Sequence, residues 1–290
     1  MPPIHQTLAI FVALIWGTNF VFIELGLNDL PPFLFATLRF TFAALPLIFF
    51  LPRPQVPWRY LIAYGVLIGL GQFGLLFWVM GSHMSPGLAS LVIQIQAVFT
   101  ILLAVLLFNE RVQFQQLIAL AISFVGIGII AVRGDTDATS IGLGVILIAA
   151  LSWAAGNLVA KHAGKVNIIA FIAWSSVFAV PPLALMSYYF EGLEAINQGL
   201  VSSSWQAWSI VLWQTIGNTL LGYGLWNLLL QRHAAALVAP WALLVPVFGM
   251  SASSLVLGES MPWWKWLAAT LIIAGLVLNL RATQRPRYSP

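Results

Sequence analysis

Long apolar stretches separated by short polar breaks run along almost the entire chain. They cover roughly residues 7–27, 32–51, 60–80, 86–107, 114–132, 141–161, 167–190, 207–230, 234–257 and 263–281. Each approaches the ~20 residues that a helix needs to cross a bilayer. Strands of a membrane β-barrel are about half as long and alternate between apolar and polar residues, which these stretches do not. The pattern therefore predicts an all-α polytopic membrane protein with ten transmembrane helices.

The breaks between these stretches carry residues that end helices, such as Pro31-Pro32 and Ser85-Pro86-Gly87. The longest break, about 191–206, is predicted to hold a short surface helix. Composition agrees, because 61% of the 290 residues are hydrophobic, only 7% are charged and the mean hydropathy is +0.96. A soluble core cannot bury that much apolar surface. The chain has no cysteine, which excludes disulfides, thiolate metal sites and a cysteine nucleophile.

Basic residues are distributed unevenly between the two sides that ten spans define. With the N-terminus in the cytoplasm, the inner side holds Arg53, Arg59, Arg111, Lys161, Lys165, Arg232, Arg281, Arg285 and Arg287. The outer side then holds only Arg133 and Lys265. Because cytoplasmic loops of membrane proteins carry an excess of Lys and Arg, this distribution predicts that both termini are cytoplasmic.

The two halves of the chain resemble each other. The segment 106–110, LLFNE, matches 255–259, LVLGE, at an offset of 149 residues, and the same offset aligns 119–126 with 268–275. We therefore expect a first five-helix repeat at 1–136 and a second at 137–290, which ends in a short basic tail. Five spans per repeat is an odd number, so the second repeat must be inverted in the membrane. Inverted repeats are typical of secondary transporters, whose substrate site lies at the repeat interface.

The chain resembles the EamA branch of the drug/metabolite transporter superfamily along essentially its whole length. The resemblance is carried by LIWGTNF (14–20), GLASLVIQIQAVFTILLAVLLFNERV (87–112), SWAAGN (152–157), GYGLWNLLL (222–230) and VAPWALLVPVFGMSASSLVLGE (238–259). It is closest to bacterial exporters of O-acetylserine and cysteine, and more distant from aromatic amino-acid exporters. The resemblance implies ten helices in two inverted repeats, a central cavity, and export of small metabolites across the bacterial cytoplasmic membrane.

Polar and aromatic side chains inside the spans are the candidates for contact with cargo, because polar groups in lipid usually face a bundle interior or a cavity. The predicted substrate-binding residues are Trp16, Asn19, Gln72, Trp78, Gln94, Trp153, Asn157, Gln214 and Asn218. Hydrogen bonding between helices is the alternative role for each of them. Trp16 and Trp153 are the leading candidates, since an indole offers an apolar face, one N–H donor and cation–π attraction to an ammonium group.

Two ionisable residues, Glu24 and Arg39, fall within the spans. We expect them to form a structural ion pair, and a proton-coupling role for Glu24 is the alternative. The four histidines, His5, His83, His162 and His233, fall at span ends or in loops and are expected to be solvated.

These features favour a secondary exporter of amino-acid-like metabolites that works by alternating access. The alternatives are a phosphate-ester, nucleotide-sugar or drug translocator of the same superfamily, a channel, and a membrane-embedded enzyme. A phosphate cargo would need cationic side chains in the cavity, where only Arg39 is available. No HExxH, G-x-S-x-G or P-loop motif supports an enzyme. The expected partners are a small zwitterionic or amphipathic metabolite and the lipid bilayer, with no nucleic acid, cofactor or metal; both a monomer and a homodimer stay open.

Overall fold

A computed structural model describes residues 1–96, 98–100, 103, 114–133, 138–164, 166–233, 241–242 and 244–284. Within these ranges the secondary structure is helical, apart from one isolated bridge between Met84 and Ala138. We number the helices α1 Pro3–Leu27, α2 Pro32–Ile48, α3 Trp58–Ser82, α4 Pro86–Val92, α5 Phe114–Arg133, α6 Ser140–Ala163, α7 Ile168–Met186, α8 Gly192–Ser202, α9 205–232, α10 Leu244–Leu257 and α11 Trp263–Gln284. The predicted all-α fold is confirmed.

Four of the described helical segments are long and apolar enough to cross a membrane: Pro3–Leu27, Trp58–Ser82, Ser140–Ala160 and Ile168–Ser202. Shorter apolar helices include α2 and α10. The predicted spans 86–107 and 234–257 run into residues outside the described ranges. The chain is a multi-pass membrane protein.

Helix starts follow local rules that the sequence makes visible. Proline occupies the first turn of α1, α2 and α4, where its missing N–H costs no intrahelical hydrogen bond. Asn167 and Ser204 are N-caps, since their side-chain oxygens accept hydrogen bonds from Ala170 N and Ala207 N. Gly192, with φ of 81°, separates α7 and its last π-helical turn from α8. The predicted surface helix in 191–206 therefore exists as α8.

The antiparallel course of the chain gathers several helix ends at one end of the bundle, which we call the acid-capped end after Asp29, Glu191 and Glu259. Glu191 accepts hydrogen bonds from Phe33 N and Leu34 N at the start of α2, at 2.5 and 3.0 Å. Asp29 accepts one from Ser204 N at 3.1 Å. Carboxylates are favourable at helix N-termini because they satisfy free N–H groups there. These contacts join segments more than 150 residues apart.

Glu259 makes the third of these caps and also neutralises a buried cation. Its carboxylate accepts hydrogen bonds from Ser85 Oγ at 2.6 Å and from Gly87 N at 2.9 Å, at the start of α4. Its Oε1 also lies 2.9 Å from Nζ of Lys265, a side chain that is fully buried. One carboxylate thus ties α4 to the connection between α10 and α11.

Helices α5 and α11 pack closely through small residues. A Cβ added at Gly126 would lie 3.0 Å from Ala268 O, and one added at Gly275 would lie 2.7 Å from Ala119 O. The two contacts are reciprocal, because the offset of 149 residues relates Gly126 to Gly275 and Ala119 to Ala268. Close backbone approach through small residues is a usual way for helices to associate in membranes.

Two helices share an unusual backbone in their middle. Helix α3 is π-helical over Gly65–Gly74, and α9 is π-helical over Trp213–Gly222, with 10 residues in each segment. π-helical turns are rare and often occur at functional sites. Both segments carry polar side chains that were predicted to contact cargo, namely Gln72, Gln214 and Asn218.

Candidate functional site

A small chamber lies in the middle of the bundle, between α1, α3, α6, α9, α10 and the 3₁₀ turn that follows α4. It is lined by Trp16, Asn19, Phe20, Ile23, Gln72, Phe73, Leu76, Ile93, Gln94, Trp153, Asn218, Tyr223 and Val245. Its cavity volume is about 40 Å³, which is room for roughly two or three water molecules. The volume is smaller than that of an amino acid.

Several polar atoms of the residues that line the chamber have no hydrogen-bond partner. Trp16 Nε1, Asn19 Oδ1 and Gln72 Oε1 are buried and unpartnered. A buried polar atom without a partner typically costs ~1–3 kcal/mol, so such groups usually indicate a partner that comes from outside the protein. The chamber thus presents one N–H donor and two oxygen acceptors to a guest.

Trp16 forms one wall of the chamber together with aromatic residues of α9. Its ring centroid lies 5.1 Å from that of Tyr223 and 5.2 Å from that of Trp226. A Cβ added at Gly222 would lie 2.7 Å from Trp16 Nε1, so a residue without a side chain is needed there. The side-chain amide of Gln72 in α3 in turn donates a hydrogen bond to the Tyr223 hydroxyl oxygen. Three helices therefore hold this wall in place.

The structure brings six of the predicted site residues together around the chamber. They are Trp16, Asn19, Gln72, Gln94, Trp153 and Asn218. Gln94 is fixed by its Nε2, which donates a hydrogen bond to Ala242 O at 3.0 Å and so joins the turn after α4 to the segment before α10. Trp16 and Trp153 come from opposite halves of the chain, and they line the same cavity.

The other three predicted site residues do not line the chamber. Trp78 packs against His83 near the end of α3, with ring centroids 4.4 Å apart. Asn157 donates a hydrogen bond to Gln96 Oε1 at 3.3 Å on an exposed surface. Gln214 is fully buried, and its Oε1 accepts hydrogen bonds from Arg39 Nη1 at 2.9 Å and from Asn218 Nδ2 at 3.3 Å. Helical spacing placed these residues near the right depth but could not fix the direction in which each one points.

The expected ion pair between Glu24 and Arg39 does not form. The Arg39 guanidinium points toward α9, where Nε donates to Thr219 Oγ1 at 3.0 Å and Nη1 to Gln214. Its Cζ also lies 3.6 Å from the centroid of the Phe73 ring. Glu24 Oε2 is buried and unpartnered. The physical reason is helix packing, because α2 packs mainly against α7 whereas α1 packs mainly against α10.

Sequence reasoning missed Phe20 and Phe73 as residues of the site. Phe73 lines the chamber and also stacks on Arg39. Phenylalanine is so frequent in this chain, with 19 copies, that neither residue stands out from its neighbours. Tyr223 also lines the chamber and, as the only hydroxylated aromatic in its helix, could have been singled out.

The opposite end of the bundle carries a histidine pair. His5 Nδ1 of α1 lies 2.5 Å from Nε2 of His233, which follows α9. Burial lowers the pKa of His233, and the nearby His5, the N-terminal amine and Arg232 lower it further. The two histidines are thus in contact with each other and are not simply solvated. Among the described residues, no group of three or more His, Cys, Asp or Glu side chains could hold a metal ion.

The chain is similar to known transport proteins over nearly its full length. The EamA-like transporter family profile matches residues 4–132 and again 140–281. A protein of Salmonella typhimurium named "Probable amino-acid metabolite efflux pump" is 39% identical over 280 residues, which cover 94% of this chain and 93% of that protein. An Escherichia coli protein with the same name is 36% identical over the same shares. A solved crystal structure has the same fold, with a TM-score of 0.66 at 18% identity, and the match covers 97% of this chain and 99% of that one.

Proposed function

Because the chain belongs to the EamA-like transporter family, we propose that it exports amino acids and related small metabolites across the cytoplasmic membrane by alternating access. The observation that carries this proposal is the central chamber, whose lining side chains come from both halves of the chain and include three with unpartnered polar atoms. A central site between two halves is typical of transporters that work by alternating access. The names of the two relatives as amino-acid metabolite efflux pumps support this class of cargo.

The inverted repeat is part of the same proposal. It is supported by the two family matches, by the reciprocal contacts between α5 and α11, and by the equal π-helical segments of α3 and α9. We place the acid-capped end outside and both termini in the cytoplasm, in a ten-helix arrangement. The excess of Lys and Arg on the terminal side supports that orientation.

The alternative cargoes fit the chamber less well. A phosphate ester or nucleotide sugar carries two or more negative charges, which transporters and enzymes commonly meet with several Lys or Arg side chains. Among the described residues that line the chamber there is no Lys or Arg, and Arg39 lies behind Phe73. Apolar and aromatic walls with a few polar atoms suit a small zwitterionic or amphipathic metabolite better.

Counterflow in proteoliposomes tests the proposed function. We expect a preloaded unlabelled amino acid to drive saturable uptake of the labelled one. We expect Trp153→Ala to lower that exchange about tenfold or more at equal protein content, since it removes chamber wall and a cation–π surface. Trp205→Ala is the matched control, because Trp205 is 82% exposed at the start of α9. Exchange of nucleotide sugars without any exchange of amino acids, or flux that does not saturate, would overturn the proposal.

A further inference from the structure

Arg39 is a fully buried cation whose hydrogen bonds go only to neutral groups. Its Nε and Nη1 donate to Thr219 and Gln214, while Nη2 is buried without any partner. Among the residues that the structure describes, it has no carboxylate partner. Arginine does not give up its proton in proteins, so this position keeps a positive charge. A buried charge that lacks a counter-charge is strongly unfavourable, which indicates that an anion binds here in some state of the protein.

A small second cavity lies beside Arg39 and offers polar groups to such an anion. It is lined by Arg39, Phe40, Tyr64, Gly65, Ile68, Phe73, Ile172, Ser175, Ser176, Thr219 and Tyr223. Ser175 Oγ is buried and unpartnered, as is Arg39 Nη2. The cavity volume is about 10 Å³, which is close to the size of one water molecule or one carboxylate oxygen. A guanidinium nitrogen and a hydroxyl that both lack partners are the donors a carboxylate needs.

This second cavity adjoins the chamber. Phe73 and Tyr223 line both cavities and form the partition between them. A hydrogen-bond chain also connects the two, because Gln214 accepts from Arg39 and from Asn218 of the chamber. Asn19 Oδ1 and Gln72 Oε1 on the chamber side are unpartnered acceptors, which suit an ammonium group. Donors on one side of the partition and acceptors on the other match the two charged groups of a zwitterion.

We propose that Arg39 and Ser175 form the subsite for the α-carboxylate of the exported amino acid, while the ammonium and side chain occupy the chamber. This inference rests on the proposed function and adds to it which group of the cargo is recognised and where. Movement of Phe73 and Tyr223 opens the partition when cargo binds. A resident inorganic anion, such as chloride, is the other source of negative charge at this site, and the test distinguishes the two.

The test compares amino acids with their carboxamides at about pH 6, where the amides keep the ammonium and the side chain but lack the negative charge. The probes are L-alanine, L-leucine and L-phenylalanine with the three matching amides, each measured as a competitor of counterflow. We expect wild type to prefer the acids, and Arg39→Gln to lose roughly 30-fold or more of acid binding while amide binding is unchanged. Arg53→Gln is the matched control, since it removes a positive charge from an exposed loop position. Ser175→Ala is a milder variant that should lower the preference several-fold without unfolding the protein.

Three results would overturn the inference while leaving the proposed function intact. One is equal competition by acids and amides in wild type. Another is an Arg39→Gln variant that exchanges amino acids and keeps the acid preference. The third is a melting temperature that rises with chloride but not with sodium acetate, measured against sodium methanesulfonate at equal ionic strength, which would assign the site to a resident inorganic anion.

Melting temperatures also test the carboxylate subsite, independently of any transport measurement. We expect acetate to raise the melting temperature of wild type and of Arg53→Gln. It should have no effect on Arg39→Gln and a reduced effect on Ser175→Ala. If wild type exchanges no amino acid, the proposed function fails, and an acetate effect that depends on Arg39 would still support a carboxylate subsite. Absence of that effect would overturn the subsite as well.

Discussion

At the acid-capped end, Asp29, Glu191 and Glu259 each accept two or more hydrogen bonds, whereas Trp16, Asn19 and Gln72 in the chamber each leave a buried polar atom unpartnered. Both regions connect the two halves of the chain. Only the first one completes its hydrogen bonding from within the protein. The difference indicates that the acid-capped end stabilises the fold, while the chamber leaves buried polar groups available for hydrogen bonding.

The buried cations Lys265 and Arg39 differ in the same way. Lys265 is fully buried and pairs with Glu259, so its charge is neutralised within the fold. Arg39 is equally buried, and its hydrogen-bond partners in the part of the chain that the structure describes are the neutral Gln214 and Thr219. A charge that the protein neutralises itself has a structural role, and one that it does not neutralise is available for binding.

The largest effect on stability is expected at the acid-capped end. Glu259→Gln leaves Lys265 buried without its counter-charge, which should lower the free energy of unfolding by about 3–5 kcal/mol. The double variant Glu259→Gln/Lys265→Met should recover most of that loss, since it also removes the Lys265 charge. Thermal denaturation of the purified protein measures both. Glu194→Gln, on the exposed face of α8, is the control and should behave like wild type. A fully stable Glu259→Gln would show that the acid-capped end does not hold the bundle together.

A chamber variant should show the opposite balance between stability and transport. Asn19→Leu removes an acceptor that has no donor, so the unfolding free energy should stay within about 1 kcal/mol of wild type. Counterflow should nevertheless fall about tenfold, because cargo loses one of its acceptors.

Asn157→Leu is the matched control for that variant, since Asn157 was also predicted to bind cargo but lies exposed outside the chamber. It should transport normally. If Asn19→Leu yields less folded protein but transport per folded molecule is unchanged, Asn19 has a structural role. The chamber and the acid-capped end would then not differ in the way described above.

The smallest expected effect concerns the histidine pair at the other end. Because the folded state lowers the pKa of His233, the neutral form is favoured, and its contribution to stability is present above the ordinary pKa of histidine, ~6.5. That contribution is lost as the pH falls through the lowered value. His5, the N-terminal amine and Arg232 all oppose protonation there.

Melting temperatures between pH 8 and pH 5 measure this effect. Wild type should lose more stability on acidification than His233→Gln does. His162→Gln, which changes another histidine on the terminal side of the bundle, should keep the wild-type profile. Identical pH profiles for wild type and His233→Gln would mean that the pair does not contribute to closing this end.

The sequence by itself determined the helical membrane fold and much of the chamber. Apolar runs of about 20 residues leave a backbone no other way to satisfy its hydrogen bonds in lipid, so helix positions follow from hydropathy alone. Polar residues at mid-depth must avoid lipid, and for that reason Trp16, Asn19, Gln72, Gln94, Trp153 and Asn218 could be named in advance.

Only the tertiary structure decided which polar groups meet. Glu24 and Arg39 lie on consecutive helices, but α1 and α2 pack against different partners, so proximity in sequence gave the wrong pair. The π-helical segments of α3 and α9 also rotate side chains away from ideal α-helical positions, and the local sequence does not predict these segments. Hydropathy fixes how deep a residue lies in the membrane, whereas the direction of its side chain depends on close packing between helices, which is decided by residues far apart in the chain.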